Sequence, residues 1–381
     1  MLNRNKFLFL TNLKFIFCTY FIVAIAASIH RYILGHEHYG NYLIFKNAFI
    51  HLVDGKNLYA PYPELGIDLF KYTPTFSILF FAFALLPDFL GLIFWNLLNA
   101  LLLFFSIKMI AIEEKKKAFI LWVVLFELVT SLQNFQSNGL TASLIIFTYV
   151  SLEKNNYLSA GISVALGFCI KIFGILAALL WFLFKGKIKF FVSALASLIV
   201  LIFLPLIFVS PAELVKIYKS WINLIINDPI HNLNYSVMSV LKNIFNIEIQ
   251  KLWVQLVGII LIVIPLLRWN LFSEKYYRLF FLSSILIWSV IFNHKAESPT
   301  YVIAVAGCAI WFFNSQKSVL NIVLLVMMFI LTCLSPTDLF PNELRENYFI
   351  PYSVKAIPCI LIWFKIQYDL LSFRSKTETA S

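Results

Sequence analysis

Long apolar runs follow one another from end to end of this chain, and most of its charges lie in the gaps between them. That pattern constrains the fold more than any other feature, because a helix crossing a bilayer needs roughly 20 apolar residues, and fewer where protein surrounds it. About thirteen such runs fall at 10–29, 74–87, 91–112, 118–132, 138–152, 157–171, 173–184, 188–209, 251–269, 277–292, 299–313, 317–334 and 352–367. Hydrophobic residues make up 61% of the 381 and charged residues 13%. A soluble domain is roughly 45–50% apolar, so a water-soluble core could not hide this surface. The expected fold is an all-α polytopic membrane protein, a single integral membrane domain over 1–381. Arg4, Lys6 and Lys14 precede the first run in the manner of a signal peptide, but His30, Arg31 and Tyr32 follow it where a small-residue cleavage site would stand. The run is expected to be retained as the first helix.

The formal charge of +11 lies in clusters between apolar runs rather than on one soluble stripe, which argues against a nucleic-acid partner and for topology determinants. Short cytoplasmic loops carry excess Lys and Arg. With the N-terminus inside and 74–87 lying at the outer surface without crossing, the charged segments 113–117, 153–156, 185–189, 268–278, 314–317 and 374–376 all fall inside. The parity gives about twelve crossings (11–13), with both termini cytoplasmic in the plasma (inner) membrane. Two long polar segments then lie outside, 30–72 (extending to about 90) and 210–250, together with the turns 133–138, 293–298 and 335–352. Within the long segments, 42–53 and 212–226 have the amphipathic spacing of juxtamembrane helices.

Segments folded over a helical bundle make a cleft where a lipid-tailed substrate with a polar head can sit. Lys71, Tyr72, Gln133, Asn134 and Asn138 reach this outer level, as do Asp228, Asn234, Ser236, His294, Lys295 and Glu297, while His231 reads as an ordinary loop residue. Glu127 differs, because a carboxylate inside an apolar run is functional or paired. Lys171 is its expected partner, and an ion pair and a catalytic role both remain open. The acids are scattered without paired metal-ligand spacing, and the five cysteines sit inside apolar runs without CxxC patterns. No metal and no cofactor is expected.

Several motifs occur together in order. Gly55, Leu58 and Tyr59 lead to KYTPTFSILFFAFALLP (71–87) and WNLLNALLL (95–103), followed by LQNFQSNGLTASLIIF (132–147), AGISVALGFCIKIFG (160–174) and NLNYSV (232–237). Each is degenerate alone, but in this order they resemble glycosyltransferase family 87 of the GT-C superfamily. The resemblance implies a GT-C-like helical bundle that transfers a hexose, typically mannose, from a polyprenyl-phosphate donor to a glycan or glycolipid acceptor on the extracytoplasmic face. The implied chemistry inverts the anomeric carbon, with a carboxylate taking the acceptor proton and cations stabilising the leaving phosphate. Lys71, Lys171, His294 and Lys295 are the candidate cations and polar contacts, although Lys71 and Lys295 can equally hold lipid headgroups. Tyr72, Gln133, Asn134, Asn138, Asn234 and Ser236 complete the substrate-binding set.

The chain departs from the family where the catalytic Asp is expected in the first outer loop, since that position reads Asn41. An amide cannot act as a base, although it can orient an acceptor hydroxyl. Asp68, three residues before Lys71, is the preferred substitute over Glu37, Asp54 and Glu64; its other reading is a solvated loop acid. Two further functions stand beside the transferase: a flippase for lipid-linked saccharides, whose kind shows repeats and broken helices, and a catalytically inactive relative.

Overall fold

The computed structural model describes residues 8–227 and 235–374, and every regular element among them is helical. Helices are the expected solution where peptide groups have no water to bond, because each satisfies its own backbone. The described residues gather into two compact units, one from 8–110, 128–175 and 188–227 and the other from 111–127, 176–187 and 235–374.

The first unit begins with α1 (Leu13–Leu34), started by the Asn12 side chain accepting from the Lys14 amide at 2.9 Å and ended at Gly35, whose φ of +107° favours glycine. Next come α2 (Gly40–Val53), the short helices α3 (Pro74–Leu79) and α4 (Phe81–Ala84), and α5 (Asp88–Met109). Then follow α6 (Glu114–Gln133), which begins in the second unit, α7 (Asn138–Glu153), α8 (Tyr157–Ile170), α9 (Lys187–Phe203) and α10 (Pro211–Asn227). The amphipathic stretches expected at 42–53 and 212–226 lie in α2 and α10. α2 buries Tyr42, Phe45, Phe49 and Leu52, one face at helical spacing. The Phe45 ring meets Tyr72, Phe76, Phe80 and Trp95 edge-on at centroid distances of 4.9–5.9 Å, which ties α2, α3 and α5 into one aromatic core.

The second unit holds α11 (Val237–Phe245), α12 (Lys251–Val263), α13 (Lys275–Ile291), α14 (Tyr301–Asn314), α15 (Val319–Met327) and α16 (Ile357–Leu371). Several of its polar side chains are bonded inside the bundle: Trp363 Nε1 donates to Ser284 Oγ at 3.0 Å, Trp311 Nε1 to Asp369 Oδ2 at 2.8 Å and Tyr277 OH to the Pro265 carbonyl at 2.6 Å.

Among the described residues three stretches can, by length and composition, cross a bilayer alone: α1, α5 and Lys187–Ile207, which is α9 with a 3₁₀ extension. A fourth candidate is the pair Asn342–Phe349 and Val354–Leu371, bent by 78°. Other apolar helices have only 10–17 residues, so the full set of about twelve crossings belongs to the topology proposed below. The stretch 74–87 is broken into α3 and α4 at Phe80.

Gly139, at the start of α7, shows how closely the first unit packs. A Cβ there would lie 2.9 Å from the Asn99 carbonyl oxygen of α5, a backbone atom that cannot swing aside. Gly139→Val is therefore expected to lower stability by about 1–3 kcal/mol, read as a fall in the Tm of the detergent-purified protein.

Candidate functional site

In the first unit the polar residues converge on the turn between α6 and α7. That turn leaves carbonyls without helical partners, and side chains from α5 and α2 supply donors. Asn96 Nδ2 donates to Leu132 O at 3.1 Å, Trp95 Nε1 to Phe135 O at 2.8 Å and Asn41 Nδ2 to Asn134 O at 2.9 Å. Asn99 Oδ1 accepts from the Leu140 amide at 2.9 Å and so caps α7. Phe135, fully buried, adopts φ +49°, an uncommon conformation for a non-glycine residue, and its ring lies against Tyr39 and Tyr42. Within this clamp Asn138 donates to Gln136 Oε1 at 2.7 Å and accepts from Lys171 Nζ at 2.5 Å, the lysine standing directly after α8. Asn134 turns its own amide back to Thr130 O, and Gln133 ends α6 half-buried.

Asp68 and Lys71 occupy the loop that leads to α3. Lys71 Nζ approaches Asp68 Oδ2 at 3.4 Å, and the carboxylate is 72% exposed. The hollow beside Asp68, shared with His51 and Tyr62, measures about 10 Å³, room for a water and not for a sugar. Tyr72 is held by its backbone carbonyl, which accepts from Tyr59 OH at 2.9 Å, and its ring stacks on Phe76. Two roomier hollows, about 350 and 870 Å³, lie along α8 and α9; one is walled almost wholly by apolar side chains, and the other carries Lys154 and Lys189, from charged segments expected inside.

The second unit changes the assignment of Glu127. Its partner is Lys355 at 2.6 Å, with both side chains essentially removed from solvent, in place of the expected Lys171. Sequence distance hid this pairing, since Lys355 stands 228 residues away in the apolar run at 352–367. A lone charge in an apolar run was the signal that could have found it. Lys355 also lines a cavity of about 290 Å³, together with Tyr235, Ser298, Ser335, Arg345 and Glu346. The cavity thus brings together 235, the turn 293–298 and the segment 335–352, which charge parity alone groups on one side.

Ser236 sits beside this cavity and is fully buried as the cap of α11, accepting from the Ser239 amide at 3.3 Å. In the neighbouring turn Lys295 donates its amide to Asn293 Oδ1, and Ala296 O accepts from the Tyr235 amide at 2.9 Å. Burial, reinforced by Lys251, pushes the His294 imidazole below its ordinary pKa. Asp228, His231 and Asn234 lie outside the described residues. Among the described residues no three His, Cys, Asp or Glu side chains gather as metal ligands.

The profile of glycosyltransferase family 87 matches residues 70–336. The chain belongs to that family. No curated protein matches it at a significant level. The family 87 match takes in Lys71, Glu127, the 132–138 clamp, Lys171 and the 293–298 turn, but begins after Asn41 and Asp68 and ends before Arg345, Glu346 and Lys355. Asn41 has a structural use that an aspartate could not serve: it donates a hydrogen bond, and a carboxylate has no hydrogen to give.

Asn41→Asp is expected to set a carboxylate against the Asn134 carbonyl, lower stability by about 1–3 kcal/mol and fail to raise transferase activity; faster transfer by that variant would refute the bridging role. Removing one partner of the buried pair, as in Glu127→Leu or Lys355→Met, is expected to cost about 3–5 kcal/mol, and the double variant to recover most of it. Thermal unfolding of the three proteins in detergent checks this.

Proposed function

We propose that this family 87 member is a membrane hexosyltransferase that moves a mannose-like sugar from a polyprenyl-phosphate donor to a glycan or glycolipid acceptor on the extracytoplasmic face. What supports this reading is the family match over residues 70–336, together with a cavity, lined in part by residues beyond that match, that holds two cations and a carboxylate. In the proposed topology about twelve crossings place 30–72, 133–138, 293–298 and 335–352 outside, with both termini in the cytoplasm of a cell whose plasma membrane carries the protein. Contacts inside each unit agree with that grouping: Asn41 meets the 133–138 turn, and Tyr235 meets the 293–298 turn.

In the reaction the acceptor oxygen attacks the anomeric carbon, the bond from that carbon to the phosphate oxygen breaks, and the phosphate leaves with the electron pair. The acceptor proton passes to a carboxylate. Asp68 is our candidate for that base, since it is the exposed acid beside Lys71, whereas Glu127 has no exposed surface and is held in an ion pair. Lys71, in the same unit as Asp68, is a candidate cation for the developing phosphate charge, and Lys295 is a candidate phosphate contact within the second unit. Lys171, Asn138 and Asn134 are proposed to shape the site through the turn they fix. No resident metal is proposed, and transfer that persists in EDTA supports this.

The 78° break between Asn342–Phe349 and Val354–Leu371 favours one second reading, a translocator for lipid-linked saccharides, because such proteins use broken helices at their sites. Vesicles in which lipid-linked sugar changes leaflet without transfer would support it over the enzyme.

With reconstituted protein and radiolabelled polyprenyl-phosphate hexose, Asp68→Asn is expected to slow transfer by about a hundredfold or more; an unchanged rate removes Asp68 as the base. A cysteine introduced at Lys115 is expected to react with impermeant thiol reagents only from the cytoplasmic side, and external labelling overturns the topology.

A further inference from the structure

The second unit abandons regular helix where a straight one would have been simplest. Met328–Leu334 and Arg345–Phe349 are π-helical, and Ser353 sits at φ +52°, ψ +36° within the bend that precedes Lys355. Wide turns of this kind are uncommon and recur at functional sites, and left-handed backbone at a serine persists only when its surroundings hold it there. Here the irregular backbone surrounds the cavity of about 290 Å³. Ligand pockets begin near roughly 300 Å³, so this one takes a headgroup and not a lipid chain.

The charges in the cavity are not equivalent. Lys355 is neutralised by Glu127, both buried. Arg345 is paired with Asp338 at 3.0 Å, but that carboxylate is 97% exposed, and an ion pair with so exposed a partner is weak. Arg345 Nη1 also donates to Pro336 O at 3.2 Å, and Nη2 to Asn342 Oδ1. Five N–H groups on a guanidinium leave Nε and one Nη2 hydrogen for a ligand. Glu346 faces the same space, and Ser298 Oγ is buried there without a hydrogen-bond partner. A bare anion would meet Arg345 and Glu346 with opposite effects. A sugar phosphate satisfies both, with its phosphate on the guanidinium fork and its hydroxyls donating to the carboxylate. Tyr235 and Phe349 supply ring surfaces for the apolar side of a sugar.

We propose that this cavity seats the phosphate-bearing headgroup of the lipid-linked sugar, with Arg345 as its phosphate anchor through Nε and Nη2 and Asp338 as a carboxylate on Nη1 that offsets part of the guanidinium charge the phosphate meets. The sugar donor as occupant rests on the transferase reading; the phosphate chemistry rests on the cavity. Asp338 shares the charge of one guanidinium with the ligand, so removing its own charge strengthens binding, an effect that a merely structural salt bridge does not produce.

The test uses the full chain in phosphatidylcholine nanodiscs, titrated with farnesyl phosphate hexose, with sugar-free farnesyl phosphate and with short-chain phosphatidylglycerol. Arg345→Gln is expected to weaken binding of the sugar phosphate at least about tenfold, and Asp338→Asn to tighten it about twofold to fivefold. Sugar-free phosphate is expected to bind more weakly than the sugar phosphate, and Glu346→Gln to narrow that difference. Affinities within twofold of wild type for both Arg345→Gln and Asp338→Asn overturn the proposal, as does phosphatidylglycerol binding as tightly as the sugar phosphate. Should Arg345→Gln fail to fold, Asp338→Asn still decides, because it leaves the arginine in place. Wild-type binding with this mutational pattern but no transfer to any acceptor counts against the transferase reading and leaves the pocket standing; transfer indifferent to Arg345 does the reverse.

Discussion

A carbonyl released where a helix breaks among apolar neighbours needs a donor, and the first unit is organised around meeting that need at Leu132–Asn138. Three side-chain donors, from Trp95, Asn96 and Asn41, close on three carbonyls of one short turn. The Leu132 carbonyl also accepts from the Phe135 amide; left without a partner, either of the other two would cost about 1–3 kcal/mol by desolvation. The clamp fixes the positions of Asn134, Asn138 and, through Asn138, Lys171. The polar constellation of that unit is thus held by backbone needs before any substrate is considered. Asn41 belongs to this framework, which gives a physical reason for an amide where the family resemblance leads one to expect an acid.

The second unit solves a different problem. Glu127 and Lys355 each carry a charge into a place without solvent, and together they make it tolerable. Buried pairs are rarely strong net stabilisers, since desolvation offsets most of the attraction. This one fixes the segment after the Ser353 bend in place, because Lys355 can reach Glu127 only if the backbone before it has turned. The cavity follows from that turn, and Arg345, Ser298 and Tyr235 are brought to it by segments far apart in the chain.

Much of this was legible in the residues. The spacing of apolar runs specifies helices, and the alternation of basic clusters groups the polar segments. Asn12, Ser236 and Ser318 cap α1, α11 and α15 in the structure, and Ser236, expected among the substrate contacts, serves there as a cap. The pairing of Glu127 was not readable. Lys171 lay nearer along the chain and at a similar position in its run, but depth along a run says nothing about which helix faces which. Arg345 and Glu346 looked like ordinary turn residues, because nothing in a local pattern announces π-helical backbone around a cavity.

By itself the sequence determined that the chain is helical, that it belongs among membrane proteins and that it is a family 87 glycosyltransferase, because periodicity, apolar length and motif order are properties of the residues in a row. Only the tertiary structure decided which lysine neutralises Glu127, that Asn41 donates to a carbonyl, and that a cation and a carboxylate share one cavity in the second unit. Those outcomes depend on packing between segments distant in sequence, where a rotation of one helix about its axis exchanges one partner for another without changing a residue.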